Sequence, residues 1–235
     1  MKIKKECIAM LLAGGQGKRM QAGINKQYLE IEGRSVLSLA IESMAAVADG
    51  LIVVCAHGEE AQARAAVRES GALAERVQIV EGGKERQDSV RNALLAMPES
   101  CQKVLIHDGA RPFVPQEMLR RILDATAPGI GVVPGTPVTD TIKRVDAEGF
   151  IVETPPRENL RAAQTPQCFM AAEIRALHLE MAESGRIFTD DAMLYEAGGK
   201  RVRMVDGSSL SRKLTVPEDL FWATEMKHAW EAEKR

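Results

Sequence analysis

The feature that most constrains this chain is an alternation. Short apolar runs (CIAMLLA from Cys7, LIVVCA from Leu51, VQIV from Val77, KVLIHDG from Lys103, GIGVVP from Gly129) are separated by longer amphipathic segments. Those segments are SVLSLAIESMAAV from Ser35, EEAQARAAVRES from Glu59, ERQDSVRNALLAM from Glu85 and QEMLRRILDAT from Gln116. Runs that are apolar on both faces suit parallel strands covered by helices. Their regular alternation with helices predicts an α/β fold with a doubly wound, mostly parallel, Rossmann-like sheet. Ligands in such sheets sit beyond the carboxyl ends of the strands. Here those ends carry AGGQG, EGG, HDGARP and PGTPVTD, all rich in small or polar residues.

The alternation breaks at DTIKRVDAEGFIVETPP, which reads as two extended segments around a turn at Asp146–Gly149. Ile142, Val145, Phe150 and Val152 are too apolar for a free loop. A lone two-stranded hairpin is marginal in water, so this one is expected to pack on its own sheet or on a second subunit. Two helical segments follow (AAEIRALHLEMAES and DDAMLYEAG), then a strand, RVRMVDG, and a final helix after Pro217. There is no internal repeat, low-complexity tract or linker. The simplest reading of residues 1–235 is one domain with a protruding arm at about 137–163.

A net charge of -2 provides no global field for nucleic acid or an anionic membrane, so an anionic substrate requires cations gathered locally. Cys7, Cys55, Cys101 and Cys168 form no C-x-x-C pair and have no histidine near enough for a zinc module, which points to reduced thiols and a cytoplasmic location. MKIKK before an apolar run mimics a signal peptide. Glu6 interrupts it and the run is short, so a buried first strand is expected. No apolar run approaches the ~20 residues of a membrane-spanning helix.

LAGGQGKRMQAGINKQYL, from Leu12, has the glycines of a nucleotide loop. It departs from the dinucleotide fingerprint, because Met20 stands where the third glycine belongs and the second strand ends in Cys55-Ala56 without a carboxylate. It departs from the phosphate-binding lysine loop too, because Lys18 is followed by Arg19 rather than a hydroxyl residue. The physics of the loop survives both departures. Consecutive glycines let backbone N–H groups approach a phosphate. Lys18, Arg19 and Lys26 add full charges. Taken alone, the loop is equally readable as a tight turn with solvated cations.

A-G-G-x-G-x-R-M followed by N-K-Q-Y-L resembles the signature of sugar-phosphate nucleotidyltransferases. More narrowly, the chain resembles the 2-C-methyl-D-erythritol 4-phosphate cytidylyltransferase family of the non-mevalonate isoprenoid pathway. The likeness runs through EGGKERQDSV, HDGARPF, PVTDTIKR, the R-E-N-L-x-x-A-Q-T-P-Q stretch from Arg157, FTDDAMLYE and RKLTVPEDL. The resemblance implies transfer of a cytidylyl group from CTP to a polyol phosphate, with release of pyrophosphate and Mg2+ as cofactor. It also implies a homodimer formed through the arm, and no nucleic-acid or membrane partner. No Ser-His-Asp or Cys-His pattern suggests a covalent nucleophile.

By the same resemblance, Arg19 and Lys26 stabilise the α-phosphate and the leaving group, while Lys213 positions the acceptor phosphate. The family usually has Asn where Ser211 stands and an apolar residue at Arg212. Ala13, Gly14, Gly15 and Gly17 are expected against the triphosphate. Gly82, Gly83 and the Ser89 hydroxyl are expected against cytosine, and Gly109 against the nucleotide, although the family commonly has Ala at Gly109. Asp108 is expected to meet magnesium or a substrate hydroxyl, with the metal held largely by CTP. Arg111 is expected to pair with a phosphate or to fix Asp108, and His107 reads as structural. Thr141, Arg157, Thr165 and Thr189 match acceptor-binding positions, and Thr141 and Arg157 would serve the neighbouring subunit's site. Asp140, Asp190 and Asp191 read as caps and ion-pair partners.

Plainer roles compete at several positions. Ser89 suits a helix, Gly82-Gly83 a turn, Asp108 a cap, Thr141 a strand and Arg157 a surface ion pair. Among whole-protein alternatives, a D-ribitol-5-phosphate cytidylyltransferase shares the nucleotide half. DTIKR and TDDA favour the erythritol enzyme. A nicotinamide-dependent oxidoreductase is disfavoured by Met20, and an inert nucleotide sensor by the intact charged positions.

Overall fold

The computed structural model of the chain describes residues 6–15, 25–216 and 218–234. Strand β1 (Cys7–Ala13) shows why the sequence winds helices on both faces of a sheet. Its Ala9 and Leu11 enter one core with Leu37, Ile41 and Leu119, while Ile8 and Met10 enter a second core with Val90, Leu94 and Ile174. Period-two side chains on a strand apolar at every position need an apolar layer on each side.

A short hairpin of β2 (Glu30–Ile31) and β3 (Arg34–Ser35) follows, turning through Glu32 and Gly33, both at positive φ. The expected alternation then appears as α1 (Val36–Ala45), β4 (Gly50–Cys55), α2 (Glu60–Ser70), β5 (Val77–Glu81), α3 (Arg86–Ala96), β6 (Lys103–Asp108), α4 (Gln116–Ala125) and β7 (Ile130–Pro137). Local chemistry marks the helix starts. Ser35 Oγ accepts from the Ser38 N–H at 3.2 Å to begin α1, and Glu85 and Asp88 form a reciprocal capping box at α3.

After β7 come β8 (Arg144–Val145), β9 (Ile151–Glu153), β10 (Arg161–Ala163), β11 (Gln167–Met170), α5 (Ala171–Ala182), α6 (Asp191–Ala197), β12 (Arg201–Asp206) and α7 (Asp219–Ala232). Among the described residues the main sheet has eight strands. β6, β1, β4 and β5 lie side by side and parallel, so their carboxyl ends share one edge. β12 also pairs parallel with β7. β10 and β11 pair antiparallel with β7, and β11 antiparallel with β6. These two short strands are not separately legible in the residue pattern, because Gln164, Pro166 and Gln167 interrupt the apolar run.

The hairpin expected around Asp146–Gly149 forms, with Gly149 at φ +91° and the Asp146 N–H donating to Phe150 O at 3.0 Å. Among the described residues β8 and β9 pair only with each other. α7 packs in a third cluster: Trp230 is buried with Phe113, Val36 and Leu39, and its indole N–H donates to Val114 O at 3.1 Å.

Candidate active site

A cleft of about 860 Å³ lies at the shared carboxyl edge of β1, β4, β5 and β6. Five separate stretches form its walls, Ala56 and His57 just after the end of β4 among them. Leu12, Gly14, Gly15, Lys26 and Gln27 come from the first stretch, Glu81 to Arg86 and Ser89 from the third, and Asp108, Ala110 and Lys213 complete it. Lys26 opens a short 3-10 turn, Lys26–Tyr28. The turn is fixed to the first strand because the buried Gln27 amide donates to Ala13 O at 2.5 Å.

Asp108 is the electrostatic centre. Its Oδ2 lies 2.8 Å from Lys213 Nζ and 3.7 Å from Arg111 Nε, and its Oδ1 lies 3.9 Å from Arg86 Nε. Burial alone would raise this carboxyl's pKa. Lys213, Arg86 and Arg111 outweigh burial and hold it far below the ordinary aspartate value. The Asp108 backbone is fixed as well, since its N–H donates to Thr165 Oγ1 at 3.1 Å. Arg111 is the fixer of Asp108 that the sequence allowed. Its other contact runs from Nη1 to Ser211 O at 2.8 Å.

The segment carrying Lys213 is pinned to this hub. The Leu214 N–H donates to Ala110 O at 2.9 Å, and Ser211 Oγ donates to Thr165 O at 3.2 Å. The two departures from the family pattern are thereby absorbed. Ser211 fills a fully buried position, whereas Arg212 turns outward to Asp219 at 3.3 Å.

The glycine pair after β5 is a packing requirement before it is a ligand site. A Cβ on Gly83 would stand 2.3 Å from Asp88 Cβ, and one on Gly82 2.9 Å from Ser89 Oγ. The Gly82 N–H donates to Cys55 O at 2.8 Å, and the Gly83 N–H to Ser89 Oγ at 3.0 Å. Ser89 Oγ in turn donates to Glu85 O at 3.3 Å. These two N–H groups and the serine proton are thus engaged within the protein, while Gly82, Gly83 and Ser89 all line the cleft.

Several other expected residues lie off the cleft lining. Gly109 and Ala13 are buried and do not line the cleft. The Gly109 N–H donates to Leu12 O at 2.9 Å, and a Cβ there would meet that same oxygen at 3.0 Å. Thr165 is buried with its hydroxyl between Asp108 and His107, so within this protomer it supports the site instead of facing a substrate. Thr189 is exposed against Met193 and does not line the cleft. Thr141 and Arg157 are exposed on the arm, where Arg157 Nη1 donates to Thr139 O at 3.0 Å. Gly17 and Arg19, with Lys18, lie outside the described residues.

Sequence reasoning passed over Arg86. Its Nη2 donates to Asp191 Oδ2 at 2.7 Å, its Nε faces Asp108, and it lines the cleft. Asp191 is fully buried, and its second oxygen meets His178 Nε2 at 3.1 Å. Burial would raise the Asp191 pKa, but Arg86 and His178 lower it. The neighbouring Asp190 caps α6 by accepting from the Met193 N–H at 2.8 Å. Placing Arg86 needed the knowledge that two distant aspartates converge on one guanidinium.

The described residues do not build a magnesium cage. They hold no group of three or more His, Cys, Asp or Glu side chains suited to a metal ion. Asp108, the expected ligand, already has its charge met by Lys213 and faces two arginines. A divalent cation there would have to displace or join those cations.

Residues 7–227 match the family model described as "2-C-methyl-D-erythritol 4-phosphate cytidylyltransferase". A protein of that name from Geotalea uraniireducens (strain Rf4) is 43% identical over 219 residues, covering 92% of this chain and 94% of the relative. One from Alkaliphilus metalliredigens (strain QYMF) is 37% identical over 222 residues, covering 94% and 92%. The crystal structure of the 2-C-methyl-D-erythritol 4-phosphate cytidylyltransferase from Thermus thermophilus superposes with a TM-score of 0.75 at 31% identity, covering 93% of this chain and 98% of that one. The 4-diphosphocytidyl-2C-methyl-D-erythritol synthase from Anaerococcus prevotii DSM 20548 gives 0.82 at 27% identity, covering 96% and 97%.

Proposed function

The chain belongs to the 2-C-methyl-D-erythritol 4-phosphate cytidylyltransferase family, and from that membership and the cleft we infer its reaction. It transfers a cytidylyl group from CTP to 2-C-methyl-D-erythritol 4-phosphate. The products are 4-diphosphocytidyl-2-C-methyl-D-erythritol, an isoprenoid precursor, and pyrophosphate.

An oxygen of the acceptor phosphate attacks the α-phosphorus, and the bond from that phosphorus to the pyrophosphate oxygen breaks. A phosphate monoester has a second pKa of about 6, so the nucleophile is mostly ionised at neutral pH and needs no general base. What remains is electrostatic: two polyanions must meet, and negative charge grows on the α-phosphate and the leaving group. Prearranged cations stabilise that charge without reorganising. Lys26 and Lys213 face one cleft from opposite ends of the chain, and this convergence is the observation that carries the reading. By family resemblance Lys26 and Arg19 act on the triphosphate and Lys213 on the acceptor phosphate. Magnesium, when bound, would be held largely by the triphosphate oxygens and would supply further positive charge against the α-phosphate.

The rest of the proposal concerns assembly and location. Residues 1–235 form one nucleotidyltransferase domain with an arm at about 137–163. The arm leaves Phe150 72% exposed and Val145, Ile151 and Val152 largely exposed, an apolar surface suited to a second arm about a two-fold axis. In such a homodimer Thr141 and Arg157 would reach the neighbour's acceptor. The four cysteines are free and buried, which supports work in the reducing cytoplasm. No helix among the described residues is long and apolar enough to cross a membrane.

The deciding experiment measures pyrophosphate release over four nucleoside triphosphates and two acceptors, methylerythritol phosphate and D-ribitol 5-phosphate, with and without magnesium. Activity confined to CTP, magnesium and methylerythritol phosphate is expected. Turnover of ribitol phosphate without methylerythritol phosphate would overturn the assignment.

A further inference from the structure

We propose that His107 is a positioning residue for the reaction: a buried imidazole that, through Thr165 and the Arg111 carbonyl, fixes the Asp108–Lys213 pair in the cleft. The inference rests on the transferase reading for its kinetic consequences and on geometry alone for its structural ones.

The hydrogen-bond directions are determined. His107 Nε2 lies 2.9 Å from Arg111 O, and a carbonyl only accepts, so Nε2 carries the proton. His107 Nδ1 is 2.9 Å from Thr165 Oγ1. In the neutral ring Nδ1 is then the acceptor, and the Thr165 hydroxyl donates to it. The same hydroxyl oxygen accepts from the Asp108 N–H at 3.1 Å. A single chain of donors runs from the Asp108 backbone through Thr165 and the imidazole to Arg111. It closes the 107–111 turn that presents Asp108 to Lys213.

The surroundings favour the neutral ring. His107 is fully buried, and both of its ring nitrogens already have protein partners. A proton on Nδ1 would oppose the Thr165 hydroxyl proton and break the chain. Thr165 also ties in the Lys213 segment, because its carbonyl accepts from Ser211 Oγ at 3.2 Å. Arg111 grips the same segment through Ser211 O at 2.8 Å. His107 therefore buttresses both residues that anchor the stretch carrying Lys213.

Four measurements test this. Nitrogen-15 NMR of the wild-type imidazole should show the neutral Nε2–H tautomer at pH 7, and an Nδ1–H tautomer overturns the proposal. Thr165→Val should lower kcat/KM for the acceptor about tenfold or more while the KM for CTP stays within about twofold, and Thr165→Ser should recover most of the loss. A fully active Thr165→Val enzyme overturns it. His107→Gln keeps a donor toward Arg111 and loses the Nδ1 acceptor, so its effect should overlap with that of Thr165→Val in the double variant. Effects that simply multiply overturn it. A crystal structure of Thr165→Val should show the Lys213–Asp108 contact opened beyond the 4 Å of an ion pair. Retention at 2.8 Å overturns the proposal, whatever the wild-type substrate. If His107→Gln does not fold, the NMR and Thr165 experiments decide. Failure of wild-type protein to release pyrophosphate would sink the transferase reading and leave the NMR and crystallographic outcomes to judge His107.

Discussion

Lys213 Nζ lies 2.8 Å from Asp108 Oδ2, and both line the cleft that also holds Lys26. The pairing sets what each residue is able to do. Asp108 holds the lysine in one direction, so Lys213 reaches an anion from a prearranged position instead of searching for one. The lysine's other two N–H bonds remain for substrate oxygens.

Replacing Lys213 by Ala should therefore reduce turnover by about 10²-fold or more, the usual size for losing one prearranged donor to developing charge. CTP binding should change far less. Pyrophosphate release beside calorimetric CTP titration measures both.

Arg86→Met should be costly to the fold. It leaves Asp191, fully buried, with the His178 imidazole at 3.1 Å as its remaining side-chain partner. Breaking a buried ion pair from one side costs about 3–5 kcal/mol. For a chain of this size each kcal/mol lowers the melting temperature by about 2–4 °C. Thermal unfolding should show a fall of roughly 10 °C, and a fall under about 2 °C would remove Arg86 from the structural account.

Stability should depend on pH in two windows. His107 titrates at about 4 in the fold against 6.5 when unperturbed, so below pH 6.5 the unfolded state binds a proton that the native state refuses. Its contribution is full above pH 6.5 and is lost as pH falls to about 4, for a total of about 3 kcal/mol. Asp108 and Asp191 are both lowered, so their contribution persists to about pH 4 and is lost below it. Urea unfolding at pH 7 and pH 4.5 should show the first loss in wild type and its absence in His107→Gln.

Gly83→Ala should disable nucleotide binding more than it disturbs the core. Its Cβ would meet the first turn of α3 at 2.3 Å, which forces the loop away from the cleft wall. A drop in CTP affinity of at least tenfold is expected by calorimetry. An unchanged affinity would show that the Gly82–Gly83 loop does not approach the base.

On the arm, Phe150→Asp should shift the protein toward monomer in sedimentation velocity, because the side chain it replaces is 72% exposed within the protomer and contributes little to its core. Arg157→Ala should weaken acceptor use more than CTP use. Equal effects on both would contradict a role for the arm in acceptor binding.

The alternation of strands and helices in the first half was legible in residue period alone, because a strand apolar at every position has to be covered on both faces and an amphipathic helix has to cover one; the β2–β3 hairpin and the short β10 and β11 were not. Local rules also placed the arm's turn at Asp146–Gly149 and the Asp190 cap. The motifs marked Lys26, Lys213 and the Gly82–Gly83 loop as members of one site. Tertiary structure decided the inner wiring. It tied Thr165, Ser89 and Gly109 into hydrogen bonds within the protein, and it brought Arg86 between two aspartates. A residue's type states which bonds it is able to make. Which of them are already satisfied inside the protein depends on neighbours supplied by distant strands, and no local pattern records those neighbours.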